Sequence, residues 1–215
     1  MTAIHTRTCR LALLLSGTGS TMVNLHSNIV EGKLPAEIAV VVSSRKNVLG
    51  LERAEERSIK TEVLTRKPFK KGGTFDSDAY SNALVEILER FEVDLVVMAG
   101  FMTRLTSPVL ERFDVVNVHP ALLPMFGGRG FYGHHVHEAV LEAGVKITGA
   151  TVHFADSQYD HGPIIMQEAV PVLENDTPDT LADRVQAAER RIYPKAIALY
   201  AEGRLMREKG RVRVS

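Results

Sequence analysis

Residues Leu11 to Leu15 are apolar at every position, and the turn Ser16-Gly17-Thr18-Gly19-Ser20 follows at once. A short run that is apolar on both faces reads as a strand covered on both sides. The glycine-rich turn then leads into an expected helix from about Thr21 to Val30. This unit excludes most all-β and all-α arrangements, because a strand buried on both faces needs a layer above and a layer below it.

The same alternation continues along the chain. Ile38 to Val42, Thr61 to Leu64, Leu95 to Met98, Val115 to Val118, Ile147 to Phe154 and Ile164 to Val170 read as strands. Between them, Asn47 to Arg57 and His135 to Ala143 read as helices, and Pro108 to Phe113 as a helical turn. Asp76 caps a helix whose Tyr80, Leu84, Ile87, Leu88 and Phe91 recur at helical spacing, which gives one buried face. Thr177 and Pro178 open a long helix with Leu181, Val185, Ala188, Ile192 and Leu199 as its apolar stripe. Lys67 to Thr74 and Pro120 to Gly133, rich in Pro and Gly, are expected as loops, and the basic tail Arg204 to Ser215 as a peripheral segment.

Strands alternating with helices predict an α/β, Rossmann-like fold: a mostly parallel sheet, joined by right-handed crossovers and flanked by helices on both faces. The length, 215 residues, suits one domain over 1–215. In such sheets ligands sit beyond the carboxyl ends of the strands.

Bulk properties narrow the function. Lys plus Arg equals Asp plus Glu at 26 each, which argues against nucleic acid as a partner. Cys9 is the lone cysteine, so no intrachain disulfide forms and a reducing cytoplasmic setting is expected. Met1 to Thr8 is polar and too short for a secretory signal. No apolar run approaches the roughly 20 residues that span a bilayer.

Four loops fall where chemistry is expected. The Ser16 to Thr21 turn offers backbone N–H groups and a helix start to a phosphate, or is a tight turn without a ligand. Asn117 and His119 share one side of an extended segment, where an amide and an imidazole can stabilise an oxyanion and relay a proton. A structural histidine fits the same pattern. Asp160, in Asp160-His161-Gly162-Pro163, can pair with a histidine or simply form a turn. Gln186 and Glu189 are neighbours on one flank of the long helix, either facing a cleft or solvated. His134, His135 and His137 lack the i, i+4 or cysteine spacing of a zinc site, so no metal is expected.

Taken in order, these segments resemble the glycinamide ribonucleotide transformylases. The matching pieces are Ser16 to Ser20, Gly50-Leu51-Glu52-Arg53-Ala54, Ala99-Gly100-Phe101-Met102, Asn117-Val118-His119-Pro120-Ala121-Leu122-Leu123-Pro124, Gly149 to Phe154, Asp160 to Ile165 and Glu189 to Pro194. The resemblance runs from about Arg10 to Leu205. It implies formyl transfer from 10-formyltetrahydrofolate, a co-substrate, to the amine of glycinamide ribonucleotide in purine biosynthesis. The only partners implied are these two small molecules, with no nucleic acid and no membrane, in a monomer or homodimer. It casts Asn117, His119 and Asp160 as catalytic. Gly19, Ser20, Thr21, Gln186, Ala187, Ala188 and Glu189 become ribonucleotide contacts. Phe101, Met102, Thr103, Arg104, Leu105, Asn117, Asp156, Ser157, Gln158, Tyr159 and Asp160 become folate contacts. The phosphate site thus falls in the N-terminal half, the folate and catalytic loops in the C-terminal half.

The chain departs from the family pattern in places. Thr21 stands where Asn is usual, Thr103 displaces an arginine to Arg104, and His161 replaces a small residue or Thr. Lys70, Lys71 and Arg104 are the cations open to the folate tail. A formyltetrahydrofolate hydrolase would carry an extra N-terminal module, for which a first strand at about Arg10 leaves no room. A methionyl-tRNA formyltransferase would carry a C-terminal RNA-binding domain and a basic surface. A silent nucleotide-binding module would not need Asn117, His119 and Asp160 together.

Overall fold

A computed structural model describes residues 7–215, so most of the Met1 to Thr8 segment lies outside it. In chain order the elements are β1 (Cys9–Leu15), α1 (Ser20–Val30), β2 (Ala36–Ser43), α2 (Leu49–Glu55), β3 (Thr61–Val63), β4 (Lys70–Lys71), β5 (Thr74–Phe75) and α3 (Ser77–Arg90). They continue with β6 (Leu95–Met98), α4 (Ser107–Leu110), β7 (Asp114–His119), α5 (His134–Glu142), β8 (Ile147–Phe154), β9 (Ile164–Pro171), α6 (Pro178–Ala201), β10 (Leu205–Glu208) and β11 (Arg211–Val214).

The main sheet has the order β3-β2-β1-β6-β7-β8-β9. β1, β2, β3, β6 and β7 run parallel. β8 pairs antiparallel with β7 and with β9, so the sheet is mostly parallel, as expected, with an antiparallel edge. The short connection between β8 and β9 cannot make a crossover, and a hairpin is antiparallel by construction.

Burial of β1 on both faces is borne out. Leu11, Leu13 and Leu15 join one core with Met22, Leu25, Val185, Ala188 and Ile192, beneath α1 and α6. Ala12 and Leu14 join the other with Tyr80, Leu84 and Leu88, beneath α3. Lys67 to Thr74 is not plain loop: a 3-10 turn over Lys67–Phe69 precedes the β4–β5 hairpin. The tail likewise folds, as the antiparallel β10–β11 hairpin. Arg207 anchors it, bonding Asp114 at 2.5 Å and lying 4.5 Å over the Phe154 ring.

α6 packs against β8 and β9, and two of its tyrosines reach carbonyls of β6 and β7 or beside them. The Tyr193 hydroxyl meets the carbonyls of Met98 and Val116, and that of Tyr200 the carbonyl of Asp94, where β6 begins. Pro194 lies inside α6 and has no N–H for the Arg190 carbonyl. Asn24 of α1 donates to that carbonyl instead, at 3.0 Å, and so ties the two helices.

Candidate active site

The strand order reverses direction between β1 and β6, and the two flanking turns meet there. Ser16 Oγ accepts from the Met102 N–H at 2.9 Å and bonds Ser44 Oγ at 2.6 Å. The glycine turn after β1 points its carbonyls at α2: Gly50 N–H donates to Gly17 O, and Arg53 donates to Thr18 O, both at 3.0 Å. α1 starts without a side-chain cap, so its first-turn N–H groups have no capping side chain. Gly19 adopts φ +73°, and a Cβ on it would lie 2.7 Å from Gly50 Cα. Only glycine lets this turn pack so closely on α2.

A cavity of about 500 Å³ opens beside this turn, beyond the carboxyl ends of β6 and β7. Phe101 to Leu105 form one wall, Asp156 to Asp160 a second, and Gly128 to Gly133 a third. Phe101, Thr103 and Leu105 are buried while Met102 is exposed, as alternation in an extended segment requires. Thr103 Oγ1 is buried with no hydrogen-bond partner. Arg104 donates to the Ser157 carbonyl at 3.0 Å and lies 5.6 Å over the Tyr159 ring, linking the first two walls. Asp156 shapes its own loop, accepting from Gln158 N–H at 2.8 Å and meeting His161 Nδ1 at 2.7 Å.

Asn117, His119 and Asp160 all line the cavity floor. β7 presents the first two on one side, and antiparallel pairing sets His153 directly opposite Asn117. Asp160 arrives from the β8–β9 loop. Its φ is +53°, and at Gly162 a Cβ would lie 2.0 Å from the Phe154 carbonyl. The loop therefore folds flush onto the end of β8 and turns the Asp160 carboxylate inward. His119 is 3 % exposed. Its Nε2 lies 2.8 Å from the Phe126 carbonyl and its Nδ1 3.5 Å from Asp160 Oδ1. Both ring nitrogens thus lie toward oxygens, Nε2 toward a backbone carbonyl and Nδ1 toward a carboxylate. The other carboxylate oxygen accepts from Gly128 N–H at 3.0 Å.

Sequence reasoning placed no role on His153. It is buried, with Nε2 3.8 Å from Asp160 Oδ1 and 3.4 Å from Asn117 Nδ2. Its Nδ1 donates to the Phe154 carbonyl at 2.9 Å, which leaves Nε2 to accept from Asn117. Burial pushes its pKa down, against the raising effects of the Phe154 carbonyl and Asp160. A histidine inside the expected strand Ile147 to Phe154 was the available signal.

The proposed ribonucleotide residues do not line this cavity. Gly19, Ser20 and Thr21 lie at the start of α1, next to its mouth at the same end of the sheet. Gln186 is exposed, Ala187 half-buried, and the Ala188 side chain is buried in the core. Glu189 is half-buried, one turn before Tyr193, whose hydroxyl marks the carboxyl end of β6. Burial raises the Glu189 pKa to about 7, opposed by the charge of Arg190. Among the described residues no group of three or more His, Cys, Asp or Glu side chains could hold a metal ion. Among them, too, no helix is long and apolar enough to cross a membrane.

A doubly wound sheet with an amide, an imidazole and a carboxylate gathered at the carboxyl ends of its strands is an α/β fold with a polar site where such folds bind ligands. The formyl transferase family matches residues 9–197, and the chain belongs to that family. It is similar to the phosphoribosylglycinamide formyltransferase of Haemophilus influenzae, 34 % identical over 91 % of this chain and 89 % of that protein. It is also 41 % identical over 98 % of its length to the bovine trifunctional purine biosynthetic protein adenosine-3, of which it spans 20 %. Among solved structures, glycinamide ribonucleotide transformylase 1 from Symbiobacterium toebii superposes with a TM-score of 0.89 at 39 % identity, covering 100 % of this chain and 97 % of that one.

Proposed function

We propose that this chain transfers the formyl group of 10-formyltetrahydrofolate to the amine of glycinamide ribonucleotide, a step of purine biosynthesis. The observation that carries the reading is the buried His119, set between Asp160 and the Phe126 carbonyl on the floor of the cavity.

The cavity takes the pterin between the Phe101 to Leu105 wall and the Asp156 to Asp160 loop, whose backbone groups supply the hydrogen bonds. The ribonucleotide phosphate rests on the N–H groups of Gly19, Ser20 and Thr21, where the dipole of α1 favours an anion. The ribose reaches Gln186 and Glu189, with the backbone of Ala187 and Ala188 between them.

The substrate amine attacks the formyl carbon, and the carbonyl oxygen becomes an oxyanion. Asn117 has one amide hydrogen committed to His153 and offers the other to that oxygen. The His119 imidazolium is placed to stabilise it, with the Asp160 carboxylate 3.5 Å from Nδ1. A proton passes from the attacking amine to the folate nitrogen, directly or through water. The bond from carbon to that nitrogen then breaks, releasing tetrahydrofolate and the formylated product. These steps use side chains of this chain alone and call for no metal.

The test is a spectrophotometric assay with 10-formyl folate, run with and without glycinamide ribonucleotide. Deformylation that requires the ribonucleotide supports transfer. Deformylation without it reassigns the chain as a hydrolase, and no reaction in either case makes it a binding module.

A further inference from the structure

The β7–β8 ladder ends at the pair His119 and Thr151. Beyond it the chain turns away through Pro120 to Leu123, and its backbone groups lose the strand partner. The Thr151 side chain takes that partner's place. Its hydroxyl donates to the Ala121 carbonyl at 2.7 Å and accepts from the Leu123 N–H at 3.0 Å. It also accepts from Gln167 Nε2 at 2.9 Å, and the same amide nitrogen donates to the Leu123 carbonyl at 3.0 Å. A hydroxyl has one hydrogen and two lone pairs, and here all three are used. Thr151 and Ala121 are fully buried and Leu123 nearly so, so no water can replace the hydroxyl.

The segment held in this way lies between His119 and Phe126, and the Phe126 carbonyl is the partner of His119 Nε2. The tether therefore fixes the imidazole twice, through its own backbone and through the acceptor of one ring nitrogen. Thr151 does not line the cavity, so it acts on the reaction only through the residues it holds. We infer that Thr151, supported by Gln167, is a positioning residue that sets the orientation of His119 for formyl transfer. The inference rests on the catalytic reading of His119 given above.

The test compares Thr151→Val and Thr151→Ser, each alone and combined with His119→Ala. Valine keeps the shape and removes the hydroxyl. Misplacement of a catalytic group by about 1 Å costs up to about 100-fold in rate. Thr151→Val is therefore expected to lower kcat at least about tenfold, with both KM values within about twofold of wild type. Thr151→Ser restores kcat. In the His119→Ala background Thr151→Val causes no further loss, because there is no imidazole left to orient.

A loss of the same factor in both backgrounds assigns Thr151 a structural role and overturns the inference, as does an unchanged kcat. Wild-type turnover in His119→Ala alone overturns the reading of the site itself, a separate result. Should Thr151→Val fail to fold, Gln167→Leu gives the same comparison from the other end of the tether. Gln167 is exposed, so its loss leaves the core intact. Its kcat falls in wild type but not in the His119→Ala background, and equal losses in the two again overturn the inference.

Discussion

The Asn24 side-chain amide lies 3.0 Å from the Arg190 carbonyl, an acceptor that Pro194 leaves without its helical partner. The bond makes α1 and α6 one unit, and each carries part of the proposed ribonucleotide site: the first turn of α1 and Glu189. Removing the amide by Asn24→Ala is expected to cost about 1 kcal/mol, the net worth of one such bond. The KM for the ribonucleotide rises while kcat holds. Thermal denaturation and steady-state kinetics check the two halves, and an unchanged KM with lowered stability limits Asn24 to packing.

Gly19 and Gly17 provide a matched pair of tests in the glycine turn. A Cβ at Gly19 meets Gly50 Cα at 2.7 Å and sits at φ +73°, whereas a Cβ at Gly17 meets nothing within 4 Å. Gly19→Ala is expected to destabilise the protein by about 1–3 kcal/mol and to abolish ribonucleotide binding. Gly17→Ala leaves stability near wild type. Chemical denaturation and calorimetric titration with the ribonucleotide separate the two, and equal effects at both positions would refute the packing argument.

For the catalytic trio, His119→Ala is expected to lower kcat by about 10²–10⁴ with ribonucleotide binding retained. Asp160→Asn keeps the Gly128 contact available but removes the charge beside His119, so kcat falls with less effect on KM. Binding is followed by titration and turnover by folate absorbance. Loss of ribonucleotide affinity in either variant counts against these roles.

The features legible in the sequence share one property: each has a local cause. Leu11 to Leu15 announced burial on both faces through its unbroken apolar run, and Thr177 with Pro178 announced the start of α6. The floor of the cavity could be read because Asn117 and His119 share one strand, where alternation fixes the side they face. What stayed hidden depends on pairing between distant segments. The antiparallel direction of β8 follows from its place in the sheet, and His153 becomes part of the site only through its pairing with Asn117. The β10–β11 hairpin was hidden for a similar reason. Its first strand, Leu205–Glu208, does not alternate, and Arg207 is held by Asp114, far away in the chain.

Glu189 yields a pH-dependent prediction. Its folded pKa is raised to about 7 by burial, while a free glutamate titrates near 4.3. The folded state therefore holds this proton more tightly than the unfolded chain does. Its favourable contribution to stability is complete below about pH 4.3, and is lost as pH rises through 7. Glu189→Gln carries no titrating group, so wild type is expected to lose stability relative to this variant between about pH 4.3 and 7, then to run parallel above it. Ribose hydroxyls donate to the ionised carboxylate, so ribonucleotide affinity takes the opposite course in wild type. It strengthens as pH rises through about 7, and Glu189→Gln flattens that rise. Urea midpoints across pH 4 to 9 check the first statement and calorimetric titration the second. An affinity profile in Glu189→Gln that still rises around pH 7 would assign the titration to another group and remove Glu189 from the ribose site.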